Sequence, residues 1–112
     1  MYYILSAENI IEFTRKGYMC MKNVLAFRLN GCPYCAQAMK AVKELAAENE
    51  KYAAVAIEWV EENEHPEISA KYDYYHVPTF FVDGVKVYEA HRGEKYEECR
   101  ENVRRVLEEA LV

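Results

Sequence analysis

The sequence predicts an α/β fold: three layers, αβα, around a mixed central β-sheet, with elements in the order βαβαβαββα. Three observations carry this. Short apolar runs alternate with stretches whose apolar residues recur every three or four positions, the pattern of strand–helix–strand units joined by right-handed crossovers. Two β-rich runs flank Asp83-Gly84, a pair suited to a tight hairpin, which adds antiparallel strands. The last segment carries a single apolar stripe, the mark of an amphipathic helix.

"YYIL" (2–5) is a short apolar run that begins the sheet, and Ser6 is an N-cap for a helix over "AENIIEFTRK" that Gly17 ends. "NVLAFRL" (23–29) reads as a strand buried on both faces and runs directly into "NGCPYC" (30–35). From Pro33 to about Asn49, Cys35, Met39, Val42, Leu45 and Ala46 keep the period of one helix face, so Cys35 is expected to point inward. "AAVAIEWV" (53–60) is the next buried strand. A further helix starts near Pro66, where proline suits an early helical position, and continues through "EISAKYDYY". "TFFVDGVKVYEA" (79–90) is the hairpin, and Tyr96, Cys99, Val103, Val106, Leu107, Ala110 and Leu111 form the stripe of the terminal helix. With no repeat, linker or low-complexity block, residues 1–112 are expected to form a single domain.

Composition narrows the function classes. A hydrophobic content of 52% supplies a packed core, and a net charge of −5 with both signs interspersed offers no basic stripe for phosphates, which argues against nucleic acid. No apolar run approaches the ~18 residues of a membrane span, and "MYYILSAENI" lacks the charged and apolar regions of a signal peptide. The expectation is a soluble, cytoplasmic monomer that engages no membrane. In a reducing compartment a C-x-x-C pair reads as catalytic or metal-binding rather than as a permanent staple.

Cys32 precedes a helix whose first residue is Pro33, so its sulfur is expected to look along the axis at unpaired backbone N–H groups. Those donors and the helix dipole favour the thiolate, which makes Cys32 the nucleophile. Cys35, one turn further and facing inward, is the resolving thiol. A zinc site would need two further ligands, whereas Cys20 and Cys99 stand alone and His65, His76 and His91 form no paired spacing with them; no metal is assigned. Cys99 lies on an apolar stripe and Cys20 between two methionines, so both read as core or boundary residues. Pro78 stands immediately before a strand, where a cis bond would leave the Val77 backbone free to pair with an extended substrate beside Cys32. His76, two residues earlier, is a candidate modulator of the Cys32 thiol, against the simpler reading of a solvated loop histidine.

Cys32-Pro33-Tyr34-Cys35 at a strand-to-helix turn, Val77-Pro78-Thr79 before a hairpin and Gly93 after it, in this element order, resemble the thioredoxin-like superfamily. Length and architecture are similar to thioredoxins, whereas the Pro33-Tyr34 dipeptide is the one typical of glutaredoxins. Ala26 stands where thioredoxins usually carry a buried Asp, Arg28 replaces an aromatic residue, and Lys40 replaces a helix-kinking proline. Of the Gly-Gly pair with which glutaredoxins bind glutathione, only Gly93 is present. The resemblance implies a disulfide reductase whose redox-active element is the Cys32–Cys35 pair, without another cofactor, and whose substrate-binding residues are Pro33, Tyr34, Val77 and Pro78. It implies protein disulfides as substrates and a thioredoxin-reductase-type flavoenzyme as electron donor. The alternatives are a glutathione-dependent glutaredoxin and a non-catalytic carrier of a metal or iron–sulfur cluster.

Overall fold

The computed structural model describes residues 21–112; the expected first strand and helix, and Cys20, lie outside the described residues. The elements are β1 (Val24–Arg28), α1 (Pro33–Glu48), α2 (Glu50–Ala53), β2 (Ile57–Glu61), α3 (Pro66–Ser69), β3 (Thr79–Val82), β4 (Val85–Glu89) and α4 (Tyr96–Leu111). The sheet runs β2-β1-β3-β4, with β1 parallel to β2 and antiparallel to β3, and β3 antiparallel to β4. It is the mixed sheet that the sequence predicts.

Strand alternation distributes β1 between two cores. Val24 and Ala26 join Ala38, Ala41 and Leu45 of α1 and Cys99, Val103, Val106 and Leu107 of α4 on one face. Phe27 joins Val60 and Phe81 on the other, where Ile68 of α3 and the following Tyr72, Tyr74 and Val77 cover it. The three layers follow from this division. The apolar line of α1 differs from the expected one: Ala38 and Ala41 are buried with Cys35 and Leu45, while Met39 and Val42 are half-buried at its flank. Small side chains occupy the contact line, and larger ones fill its margin.

Two element boundaries also differ. The second strand begins at Ile57, because Asn49 ends α1 in an extended conformation (φ −149°) and its side chain accepts the Lys51 N–H (3.0 Å), starting the short α2 that contains Ala53. The helix at Pro66 stops at Ser69 and does not continue to Tyr75. Its continuation is incompatible with packing: the Tyr72 and Tyr74 rings both lie on Phe27, at 5.1 and 4.8 Å between centroids. Residues two apart on a helix face nearly opposite directions, so the chain unwinds to bring both rings down.

In the hairpin Asp83 and Gly84 both have positive φ, 48° and 82°, as a two-residue turn of matching twist requires. Phe80 pairs with Tyr88 but Phe81 with Lys86, leaving Val87 as an extra, bulged residue. Arg105 of α4 donates to the Val87 carbonyl (2.9 Å). No helix among the described residues is long and apolar enough to cross a membrane.

Candidate active site

β1 carries the chain to a turn in which Gly31 has φ 82°, a conformation that disfavours a side chain, and the turn delivers Cys32 in an extended conformation as the N-cap of α1. Pro33 occupies the first helical position. The Cys32 sulfur accepts the Cys35 N–H (3.4 Å), and its thiol donates to the Val77 carbonyl (3.9 Å). The two thiols differ in environment. Cys32 is half-buried, whereas Cys35 is 2% exposed. Burial, first, and then the hydrogen bond with Cys32 and the charge on it push the Cys35 thiol up to about 12, while a backbone contact at Leu29 and the Arg28 charge pull it down.

The Val77–Pro78 peptide is cis, as the sequence expectation had it, and Pro78 is buried. Val77 thereby sits beside Cys32, joined through its carbonyl. The segment before it is held by Glu89, whose carboxylate accepts the N–H groups of Tyr75 and His76, each at 2.7 Å, and is itself paired with Lys86 at 2.7 Å. Thr79 donates its hydroxyl to the His76 carbonyl. His76 is exposed and lines a cleft with Tyr34, Tyr75, Val77, His91 and Arg92. Its ring is not among the hydrogen-bond partners of the Cys32 sulfur. Tyr34 leans across the cleft, its hydroxyl accepting the Gly93 N–H (2.7 Å), so the C-x-x-C dipeptide is tied to the loop after β4.

Two supporting residues escaped the sequence reading. Glu61, 6% exposed at the end of β2, accepts the backbone N–H groups of Asn30 (2.7 Å), Asn63 (2.7 Å) and Glu64 (3.2 Å). Those bonds, that from Asn30 foremost, hold its carboxyl below the ordinary carboxylate range and fix the turn ahead of Cys32. Glu89 was hidden by the bulge: an unbroken two-residue hairpin sets Tyr88 opposite Thr79, and the extra Val87 brings Glu89 there instead. Cys99 is a core residue, fully buried on α4, and burial raises its thiol.

The family model of the thioredoxin domain matches residues 22–94, more than half of the chain. The chain belongs to the thioredoxin domain family. No curated protein sequence matches it. Among solved structures, the thioredoxin of Fasciola hepatica is similar at 26% identity and TM-score 0.53, over 78% of this chain and 82% of that one. The oxidised thioredoxin of Plasmodium falciparum matches at 15% identity and TM-score 0.57, over 86% of each chain. Thioredoxin 1 of Thermosipho africanus matches at 19% identity and TM-score 0.51, over 77% of this chain and 94% of that one; these last two likenesses concern the fold. A thioredoxin fold with an adjacent pair of cysteines at a helix N-terminus points to thiol redox chemistry.

Proposed function

We propose that this thioredoxin-domain protein reduces protein disulfides by dithiol exchange through Cys32 and Cys35. The observation that carries the reading is the asymmetry of the pair: a half-buried sulfur receiving a backbone N–H at the start of α1, and one turn on a buried thiol pushed up to about 12. Cys32 attacks a substrate disulfide and forms a mixed disulfide, releasing one substrate thiolate. Cys35 then attacks the Cys32 sulfur, forming the Cys32–Cys35 bond and releasing the second. Ionisation of Cys32 removes the S–H that the Val77 carbonyl accepts, freeing that carbonyl for the N–H of an extended substrate. Tyr34 and the exposed Tyr75 border the same cleft and suit a polypeptide. The reading fits a monomer in a reducing compartment, with a flavoenzyme of the thioredoxin-reductase type as donor.

One observation favours a second reading. His91 and Arg92 line the cleft beside Tyr34, and cations there suit the carboxylates of glutathione. Insulin and a glutathione mixed disulfide, each assayed with NADPH and thioredoxin reductase and with NADPH, glutathione reductase and glutathione, separate the two. Insulin turnover with the flavoenzyme, abolished in Cys32→Ser and replaced by a trapped covalent complex in Cys35→Ser, is the expected result. Turnover only of the small substrate with glutathione would reverse the choice, and full activity of Cys32→Ser would refute the mechanism.

A further inference from the structure

Arg28 is the last residue of β1, and alternation puts it on the side of the sheet of Val24 and Ala26, the side packed by α1. That face packs α1, on whose first turn Cys35 is buried, and the Arg28 charge acts on that thiol. One end is fixed: Nη2 donates to the Asn30 side-chain oxygen at 2.8 Å. Nε is buried and has no hydrogen-bond partner among the described residues. A buried N–H of a permanent cation is costly to leave unused. Glu61, opposite Arg28 on β2, feels its charge but spends its oxygens on three backbone N–H groups, so Nε stays open to an anion that forms nearby.

We infer that Arg28 is the charge that assists Cys35 in the resolving step, a role that goes beyond the proposed dithiol exchange and rests on it. No residue of β1 carries a carboxylate. The ionisable groups acting on Cys35 are Cys32 from the start of α1 and Arg28 from β1. Glu61 at the end of β2 is engaged by three backbone N–H groups, and His76 and His91 line the cleft with Tyr34, to which Cys35 does not contribute. In the mixed disulfide the Cys32 sulfur carries no charge and no proton, so its opposition to a Cys35 thiolate disappears. Arg28 is then the charge that remains. The Cys35 proton passes to buffer, the thiolate attacks the Cys32 sulfur, the Cys32–Cys35 bond forms, and the bond to the substrate breaks with its electron pair leaving on the substrate thiolate.

The test is a rapid-mixing reaction of reduced protein with one equivalent of an aromatic disulfide such as 5,5′-dithiobis(2-nitrobenzoate), following the coloured thiolate. Cys32 releases the first equivalent in a concentration-dependent phase. Cys35 releases the second in a concentration-independent phase, which Cys35→Ser lacks. Arg28→Gln is expected to slow the second phase about threefold to fourfold at pH 7, since loss of an opposite charge shifts a partly solvated thiol by about one unit, which lowers the thiolate tenfold while the more basic sulfur returns about 2.5- to 3-fold. Its pH–rate line is expected to move to higher pH, parallel to wild type, and Arg28→Lys to restore most of the rate. If Arg28→Gln fails to fold, by circular dichroism and thermal unfolding, Arg28→Met supplies the uncharged comparison. Superimposable pH–rate lines for charged and uncharged variants would overturn the inference, as would equal slowing in Arg28→Lys and Arg28→Gln. Absence of a second phase in the wild-type protein would overturn the dithiol mechanism itself, a result distinct from both.

Discussion

Cys35 should be protected from alkylation even when the protein is reduced and native, and the size of the effect follows from its surroundings. The thiol is pushed from an ordinary 9.0 to about 12, a difference of three units. Below both values the thiolate fraction falls tenfold per unit, so native Cys35 holds about a thousandth of the thiolate of an unperturbed cysteine. A more basic thiolate is also more nucleophilic, with a Brønsted slope of about 0.4–0.5, which returns about 15- to 30-fold. Cys35 should therefore react about 30- to 60-fold more slowly than the same residue in the unfolded chain, before its 2% exposure slows the reagent further. Iodoacetamide labelling under pseudo-first-order conditions, with mass-spectrometric mapping of the Cys35 peptide in buffer and in urea, measures the ratio. Cys32 should be labelled first in the native protein. In Cys32→Ser, loss of the neighbouring charge should accelerate Cys35, while burial, the largest cause, keeps it slower than in urea. Native labelling of Cys35 within about threefold of its unfolded rate would refute the assignment of Cys35 as the shielded thiol.

Phe27→Ala should cost about 3–5 kcal/mol in urea unfolding, because the ring is fully buried and carries Tyr72, Tyr74 and Phe81; a loss below about 1 kcal/mol would mean that these rings hold the segment before Val77 without it. Tyr34→Phe removes the acceptor of the Gly93 N–H, so amide exchange at Gly93 should quicken with little change in global stability, and unchanged exchange would show the bond to be idle. The Glu98 carboxylate holds the His91 proton above its ordinary 6.5, so the NMR titration midpoint of His91 should fall in Glu98→Gln. Because the folded state binds that proton more tightly, the stabilisation is complete below about pH 6.5 and is lost as pH rises through the raised value; an unmoved midpoint would remove the pair from the account.

The parts of the fold that were legible in the sequence are those set by local period and turn chemistry. Val24–Arg28, the helix from Pro33, the Asp83-Gly84 hairpin and the stripe from Cys99 to Ala110 each announce themselves within about a dozen residues. The end of α3 did not, since Tyr72 and Tyr74 leave the helix to satisfy Phe27, a residue more than forty positions away in the chain. Cys32, Cys35 and Pro78 were legible through their spacing and neighbours. Glu61 and Glu89 were not, because a carboxylate that holds backbone N–H groups across strands leaves no pattern in the sequence, and the bulge at Val87 shifts the register by one. The expected role of His76 rested on fold position alone, and the structure gives its backbone, through Glu89, a clearer task than its ring.

The bulge in β4 also bears on how the domain behaves in a crowd. Among the described residues β4 forms one rim of the sheet, and an open rim can recruit strands from neighbouring copies. Here the repeat of donors and acceptors is interrupted at Val87, whose carbonyl is already occupied by Arg105. A second copy aligned along β4 would meet a ladder with a missing rung and a cation across the gap. The rim thus works against strand-by-strand association of copies in concentrated solution, with the same extra residue that sets Glu89 opposite Thr79.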